Sequence, residues 1–313
     1  MAIPILRNYQ LDTVEQAAQC RRNGAMVIVI QASTGAGKTT IACEAVRRSA
    51  EKGKKSLFIA HLRKLVDQAS DRLLDFQIGH GVVMRGHPRE RSSPVQVASK
   101  DTLLAQIENS GFGSLPEADL VVVDECRHVM AEVYRKLLDH YERSGATIIG
   151  LDATPVLANG QGLAPWAKAL VCAVPTSQLI REGWLLPLKC FAPDRKARRG
   201  KVPSRGIAGD LVQSWKDFAQ GLPTVLFTSR VQYSLDAVKA FNAEGIIFAH
   251  VDADTPDDER EEVFEKLRTG EINGVGNVGI LCLDSETEVL TSSGWVGMDE
   301  MSESHKVANW DGG

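Results

Sequence analysis

Residues 27–41 read VIVIQASTGAGKTTI, an apolar run followed by a glycine-rich turn and the start of a helical pattern. Residues 32–39 of this stretch form a Walker A sequence in which alanine replaces the first glycine. Such a turn exposes successive backbone N–H groups at a helix N-terminus, where the helix dipole also favours anions. A chance Gly/Lys turn is the alternative, but the strand before it and the helix after it favour a phosphate-binding loop.

The residue types of this loop suit a nucleoside triphosphate with Mg²⁺. Gly35 and Gly37 allow the backbone to wrap phosphates closely. Lys38 would reach the β- and γ-phosphates, and the Thr39 hydroxyl would ligate Mg²⁺. The predicted nucleotide-binding residues of the loop are Ala32, Ser33, Thr34, Gly35, Ala36, Gly37, Lys38, Thr39 and Thr40.

Around this loop, short apolar runs alternate with longer amphipathic stretches. Continuous apolar runs suit strands that are buried on both faces, as in a parallel sheet covered by helices. Strands are therefore predicted at 26–31, 56–60, 95–99, 120–124 and 147–151. Helices are predicted over 39–50, 62–75 and 129–143 and from Asp101. The alternation predicts an α/β domain.

A second α/β series follows a break in the pattern. Residues 187–205, PLKCFAPDRKARRGKVPSR, contain three prolines and little periodicity, which indicates a linker or an exposed excursion. Beyond it, strands are predicted at 224–228, 246–251 and 275–281, and helices at 231–243 and 256–268. We therefore expect a first domain over 1–186, a linker with a basic excursion over 187–218 and a partial second domain over 219–281.

Two carboxylates follow directly on the predicted strand at 120–123. Asp124 and Glu125 would lie at the carboxyl end of that strand, where α/β sheets place their sites. Asp124 would hold Mg²⁺ through water, and Glu125 would orient and deprotonate an attacking water. A helix N-cap with an acidic first turn is the alternative, and the neighbouring Walker A sequence weighs against it.

Six motifs in order give the chain a resemblance to a known family. They are Tyr9-Gln10, ASTGAGKTT, FIAHLRKLVDQ, VVVDEC, GLDATP and VLFTSR, and the resemblance that they support covers residues 5–281. In this order they resemble the motifs of the superfamily 2 DEAD/DEAH-type helicases. Their sequences are most similar to those of the phage and bacterial type III restriction-like ATPases. The resemblance implies one RecA-like P-loop lobe, part of a second, ATP and Mg²⁺ as cofactors, and a nucleic-acid partner.

The resemblance also implies roles for individual residues. Gln10 would read the adenine edge, with Tyr9 packed nearby. Asp152, Ala153 and Thr154 would couple hydrolysis to domain movement. The nucleic-acid-binding residues would include His61, Arg63 and Arg230 from the motifs and Arg198 and Arg199 from the basic run, for which a solvated loop is the alternative.

Two positions depart from the family pattern. Arg127 follows Asp124-Glu125-Cys126 where the family has His or Asp, and Asp152 replaces the usual hydroxyl residue. His128 stands one position too late to replace the missing histidine and is expected to be an ordinary helix residue. These departures put in doubt how efficiently hydrolysis is coupled to domain movement, but they do not put nucleotide binding in doubt.

The predicted strand at 275–281 is followed at Cys282 by a sequence that departs from the family pattern. Residues 277–281 resemble the strand that leads into motif V, but the sequence continues CLDSETEVLT, and no Gln-x-x-Gly-Arg-x-x-Arg element follows. The new segment, 282–313, resembles the β-rich N-terminal block of an intein of the Hedgehog/intein type. Cys282 would then be a splicing nucleophile, because a thiol is intrinsically nucleophilic and leaves well. A buried structural cysteine is the alternative.

An intein in this position has consequences for the activity of the chain. Either the segment belongs to a split intein that ligates a C-terminal helicase fragment in trans, or the sequence is a truncated precursor. Without that fragment we expect an ATP hydrolase that binds nucleotide but turns it over weakly. The other hypotheses are a splicing precursor without helicase activity and an inert fragment that binds nucleic acid at most.

Composition and charge restrict the class of protein further. The chain is 43% apolar and 24% charged, which excludes a disordered chain. No apolar run approaches the ~20 residues of a membrane span. Six cysteines without a CxxC pair predict a cytoplasmic protein, bacterial or in a phage-infected cell, rather than a disulfide or zinc scaffold.

The net charge of −4 hides two different parts of the chain. Residues 282–313 hold seven acids and one base, so the rest keeps 35 of the 36 basic and 33 of the 40 acidic residues. The helicase-like part is thus slightly basic, and its charge no longer argues against nucleic acid. DNA is expected rather than RNA, and no membrane partner is expected.

Overall fold

The computed structural model describes residues 3–87, 92–157, 160–164, 166–187, 204–278, 288–291 and 294–297. Cys282, Arg198 and Arg199 lie outside the described residues. The chain divides into two compact units. Unit 1 comprises 1–157 and 161–187, and unit 2 comprises 158–160 and 188–313.

Unit 1 alternates strands with helices along the chain. Its strands are β1 (Val27–Gln31), β2 (Ser56–Ala60), β3 (Gly81–Val83), β4 (Val95–Ser99), β5 (Leu120–Asp124), β6 (Thr147–Asp152) and β7 (Ala169–Cys172). Its helices are α1 (Asn8–Arg22), α2 (Lys38–Ala50), α3 (Arg63–Asp75), α4 (Lys100–Ser110), α5 (Glu132–Arg143) and α6 (Thr176–Arg181). Short 3₁₀ turns follow α4 at 112–114 and β5 at 126–130.

The seven strands form one sheet in the order β3-β4-β2-β5-β6-β1-β7, and all of the described pairings are parallel. Alternate residues of β1 face opposite cores: Ile28 packs with Phe58 on one face, while Val29 packs with Leu57 on the other. Both faces are buried, because helices cover each side. The predicted α/β fold with a parallel sheet is confirmed.

The strand order brings three turns of the chain together at one edge. β6 pairs with β5 on one side and with β1 on the other, so that Asp124 aligns with Leu151 and Gln31 with Asp152. The turns after β1, β5 and β6 therefore leave the sheet side by side.

Unit 2 contains a smaller parallel sheet. Its elements are α7 (Ser204–Phe218), β8 (Thr224–Phe227), α8 (Val231–Ala243), β9 (Phe248–Val251), α9 (Asp257–Thr269) and β10 (Gly274–Asn277), with the strands in the order β8-β10-β9. The rings of Phe241 and Phe248 stack with centroids 4.0 Å apart, and Trp215 meets both edge-on. This aromatic group forms the centre of the core of the unit.

Two further short strands lie in the segment predicted to be an intein. β11 (Glu288–Thr291) and β12 (Gly294–Gly297) pair antiparallel. An antiparallel pair agrees with the β texture of this segment, but it occurs in many β folds and does not by itself identify an intein.

Several elements differ from the sequence predictions. The sequence pattern predicts a linker with a basic excursion over 187–218, whereas residues 204–218 form α7, in which Val212 and Trp215 recur at helical spacing and are buried in the core of unit 2. The predicted helix at 129–143 begins at Glu132, after the 3₁₀ turn. Of the predicted strand 275–281, the structure describes β10, and 279–281 lie outside the described residues.

Four elements of unit 1 lack a prediction. α1 has polar residues on most of its surface, β3 is only three residues long, and β7 and α6 are short. Short or weakly amphipathic elements give little periodic signal. Among the helices of the described residues, none combines the length and the apolar composition that a membrane span requires.

We predict that Gly150→Ala destabilises unit 1 by about 1–3 kcal/mol. A Cβ at Gly150, in β6, would lie 2.8 Å from the Sγ of Cys126 and 3.1 Å from Trp166, both of which are buried. Urea denaturation measures the effect, and Gly79→Ala is the control because nothing lies within 4 Å of its added Cβ. Equal stability of the two variants would contradict the packing described for β6.

Candidate nucleotide site

The glycine-rich loop after β1 folds as a tight turn into α2. Gly35 and Gly37 both have positive φ, 82° and 84°, which favours glycine. The Ala36 N–H donates to Ser33 O at 2.9 Å and closes the turn. A Cβ at Gly37 would lie 2.5 Å from Gln10 Nε2, so the loop has no room for a side chain there. Lys38 begins α2, which leaves the free N–H groups of its first turn at the loop.

Tyr9 and Gln10 hold this loop from α1. The Tyr9 hydroxyl donates to Ala36 O at 2.8 Å, and Gln10 Nε2 donates to the same oxygen at 3.0 Å. Gln10 Oε1 accepts from the Arg7 N–H at 2.9 Å, as at the third position of a capped helix. Both ends of the Gln10 amide are thus bound within the protein, and adenine recognition would use its remaining donor and acceptor capacity.

The acidic pair at the end of β5 lies next to the loop lysine. Lys38 Nζ is 3.2 Å from Glu125 Oε1, although the two residues are 87 positions apart in the chain. Glu125 has φ 49° and ψ 59°, an unusual conformation for a residue with a Cβ. Its N–H donates to Asp124 Oδ1 at 3.1 Å. Left-handed non-glycine backbone of this kind is found preferentially at functional sites.

Asp124 has a strongly perturbed acidity. Burial, together with the nearby charge of Glu125, raises its pKa to about 6, while Lys38 acts in the opposite direction. A desolvated carboxylate favours either a proton or a cation. The donor set of Asp124 and the Thr39 hydroxyl therefore fits Mg²⁺, which keeps several waters and uses few protein ligands. The described residues contain no cluster of three or more His, Cys, Asp or Glu suited to a metal.

Asp152 ties the three turns together from the end of β6. Its side chain is fully buried, and its backbone oxygen accepts from the Ala32 N–H at 2.9 Å. Its carboxylate accepts from the backbone N–H of Arg127 and of Thr154, both at 2.9 Å. Burial raises the pKa of Asp152, and the hydrogen bonds oppose this shift. Ala153 lies beside the loop strand, where its carbonyl accepts from Gln31 Nε2 at 3.5 Å.

His61 and Arg63 follow β2 at the same edge of the sheet. The ring of His61 lies 5.4 Å from that of His128, at an angle of 42°. Burial lowers the pKa of His61, and electrostatic interactions with His128 and Lys100 act in the same direction. Arg63 is exposed at the start of α3. His128 lies in the 3₁₀ turn rather than in the predicted helix, and its contact with His61 has no signal in the sequence.

Four predicted residues remain: Arg230 of unit 2 and Ser33, Thr34 and Thr40 of unit 1. Arg230 lies in unit 2 at the start of α8, with its guanidinium 5.7 Å from the ring centroid of Tyr233. Of the other predicted loop residues, Ser33 contacts the Thr176 hydroxyl at 2.8 Å, while Thr34 is exposed and Thr40 is half-buried.

Two residues without a prediction lie near the loop: Leu185 contacts it directly, and Trp184 is connected to it through Arg7 and Tyr9. The guanidinium of Arg7 stacks 3.9 Å from the ring of Trp184 and donates to the Tyr9 hydroxyl at 2.9 Å. Leu185 covers Gly35, since an added Cβ there would lie 2.6 Å from Leu185 Cδ2. The Arg7–Trp184 and Gly35–Leu185 contacts join positions about 150–180 apart in the chain, so no local sequence pattern predicts them.

The family described as "Type III restriction enzyme, res subunit" matches residues 3–157, the part of the chain that holds the loop, the acidic pair and Asp152. Residues 3–157 thus form a helicase-like ATPase core. This core is homologous to those of ATP-dependent helicases and restriction enzyme subunits, and the superfamily 2 resemblance is confirmed to that extent.

Individual relatives agree with this result. A "51.5 kDa protein" of a Lactococcus phage is 26% identical over 81% of this chain and 55% of its own length. The "Putative ATP-dependent helicase IRC3" of Saccharomyces cerevisiae is 25% identical over 88% of this chain and 45% of its own. The chain therefore spans about half the length of these relatives.

Solved structures share the fold of the helicase-like core. The helicase Lhr of Mycobacterium smegmatis, bound to ssDNA and AMP-PNP, matches 85% of this chain and 39% of its own with a TM-score of 0.56 and 17% identity. At this identity the likeness supports the RecA-like fold and carries no residue roles.

We predict that Asp124→Asn stabilises the metal-free protein by about 2–3 kcal/mol at pH 8. The raised pKa means that the folded state holds the Asp124 proton more tightly than the unfolded state, so ionisation destabilises the fold as the pH rises through about 6. The advantage of asparagine should shrink below about pH 6 and fall to roughly half at pH 5.

Urea denaturation with a chelator present, at pH 8 and at pH 5, measures this difference. The exposed Asp12→Asn is the control, expected to stay within about 0.5 kcal/mol of the original protein. A destabilised Asp124→Asn at pH 8 would mean that the Asp124 carboxylate is well solvated or fully paired.

Proposed function

We propose that this chain supplies the N-terminal part of an ATP-dependent nucleic-acid helicase or translocase. The observation that carries the proposal is the contact between the phosphate-loop lysine, Lys38, and the carboxylate of Glu125 at 3.2 Å. It joins an anion-binding loop to a carboxylate that can act as a base, at the carboxyl edge of a parallel sheet.

The residues of the site divide the chemistry among them. The loop N–H groups and Lys38 bind the phosphates, and Thr39 and Asp124 hold Mg²⁺. Mg²⁺ neutralises charge on the β- and γ-phosphates when it is bound. Glu125 orients a water molecule and takes its proton during hydrolysis. Tyr9 and Gln10 keep the loop in place and define the adenine side of the site.

The nucleic-acid partner would bind along the edge that follows β2. Arg63 is exposed there, and His61, two residues before it, lies beside His128 of the 3₁₀ turn that follows Glu125. Arg230, Arg198 and Arg199 would add phosphate contacts, since basic side chains bind nucleic acid by releasing counter-ions. DNA is proposed rather than RNA. A cytoplasmic location in a bacterium or a phage-infected cell goes with this proposal.

We expect Lys38→Ala to weaken the binding of a fluorescent ATP analogue at least about tenfold, since one lost charge-assisted contact costs 1.5–3 kcal/mol. Glu125→Gln should retain binding and lose hydrolysis. The unmodified chain should bind the analogue but hydrolyse ATP weakly, with or without added DNA or RNA.

Titration of the analogue and phosphate release measure these two steps, with Lys52→Ala as an exposed lysine control. Full binding by Lys38→Ala would refute the nucleotide site. Turnover by the isolated chain at ordinary helicase rates with DNA would refute the expected dependence on a further fragment.

We further propose that Cys282 begins an intein segment, 282–313, which ligates a C-terminal helicase fragment in trans. The interruption of the motif V sequence after Leu281 supports this proposal. The Cys282 thiolate would attack the carbonyl carbon of Leu281, the Leu281–Cys282 amide bond would break, and the freed amine would take up the proton. The product is a thioester that a small thiol can displace.

We expect dithiothreitol to release a fragment that ends at Leu281 and Cys282→Ala to abolish the release. Intact-mass spectrometry after incubation with the thiol measures it, and Cys172→Ala, at an exposed cysteine of β7, is the matched control. Release from Cys282→Ala, or none from the original chain, would favour the structural-cysteine alternative.

A further inference from the structure

Arg127 lies between two carboxylates of the candidate site. Its guanidinium is 3.5 Å from Glu125 Oε2 and 3.8 Å from Asp152 Oδ1. The backbone N–H of Arg127 donates to Asp152 Oδ2 at 2.9 Å. Arg127 and Asp152 are the two positions that depart from the DEAD/DEAH pattern. The structure therefore makes the two unusual residues direct neighbours of opposite charge.

Glu125 consequently has a cation on each of its carboxylate oxygens. Lys38 Nζ contacts Oε1 at 3.2 Å, and the Arg127 guanidinium contacts Oε2. The side chains of Lys38 and Glu125 are 15% and 22% exposed, so an unpaired charge on either would be poorly solvated. One of the two cations, Lys38, is also the group that the phosphates of a nucleotide would attract.

We propose that Arg127 is a positioning residue that serves as the reserve counter-ion of Glu125. When Lys38 moves from Glu125 to the phosphates, Arg127 keeps the carboxylate paired and in place. Asp152 anchors Arg127 through its side-chain ion pair and its backbone hydrogen bond. The inference rests on the proposed nucleotide-binding function and assigns a role to a residue outside the phosphate loop.

An arginine suits this role for two physical reasons. Its guanidinium stays charged at every working pH, whereas a histidine at this position would lose its charge near neutrality. The planar guanidinium also presents separate nitrogens to two carboxylates, and here Nη2 faces Glu125 while Nη1 faces Asp152.

The test compares the affinity of a fluorescent ATP analogue, with Mg²⁺, across variants of the full chain. Arg127→Gln should weaken binding roughly three- to fivefold, a modest effect because the Arg127 side chain is 37% exposed and its ion pairs are screened. Affinity for the matching AMP analogue should not change, because AMP lacks the phosphates that attract Lys38. The difference should shrink at high salt.

Two further variants separate a counter-ion from a merely structural side chain. In a Glu125→Gln background there is no carboxylate charge to balance, so adding Arg127→Gln should have no effect on affinity. Arg127→Lys keeps the cation and should bind within about twofold of the original protein, since the ion-pair distances are those of point charges rather than close hydrogen bonds. Arg143→Gln, at an exposed arginine in α5, controls for net charge.

The outcomes are distinguishable from one another. If Arg127→Gln weakens binding equally in both backgrounds, or leaves it unchanged, the counter-ion role is wrong while the nucleotide site stands. If binding does not depend on Lys38 either, the proposed function itself fails. Glu125→Gln alone should tighten ATP binding, since Lys38 then has no carboxylate to leave, and weaker binding by that variant would also overturn the inference.

Discussion

The carboxylate of Asp152 is the constraint on which the site depends. This fully buried residue at the end of β6 accepts backbone hydrogen bonds from the turns after β5 and β6, and its own carbonyl binds the start of the phosphate loop. A buried carboxylate requires such donors, because its desolvation is otherwise costly. The same requirement holds three chain segments in register, so the spacing of the candidate site residues depends on the hydrogen bonds to one buried carboxylate.

The charges around Asp152 form a chain from the loop to the sheet. Lys38, Glu125, Arg127 and Asp152 alternate in sign, with each neighbour within 4 Å of the next. Asp124 lies beside this chain, where burial and the charge of Glu125 raise its pKa. Glu125 is thus paired with two cations while Asp124 is desolvated, and under the proposed function the first suits a base and the second a ligand of a cation.

The departures from the family pattern acquire a meaning from this arrangement. Considered one at a time, an arginine in place of histidine and an aspartate in place of a hydroxyl residue each cast doubt on coupling. Together they form an ion pair and a backbone hydrogen bond, which connect the 3₁₀ turn after β5 to the end of β6.

The sequence alone determined three strands that are buried on both faces, because such burial favours short, mainly apolar runs: β2, β4 and β5 have the predicted bounds. It also predicted the phosphate loop, because the local geometry of such a turn requires glycines and a lysine at this spacing. It did not reveal α1, with its weak amphipathic signal, or α7, which the prolines and arginines before it concealed. Only the tertiary structure decided that Gln10 is bound at both ends, that Asp124 is desolvated and that Arg127 meets Asp152. Those contacts depend on the register of neighbouring strands, which brings together residues that are far apart in the chain.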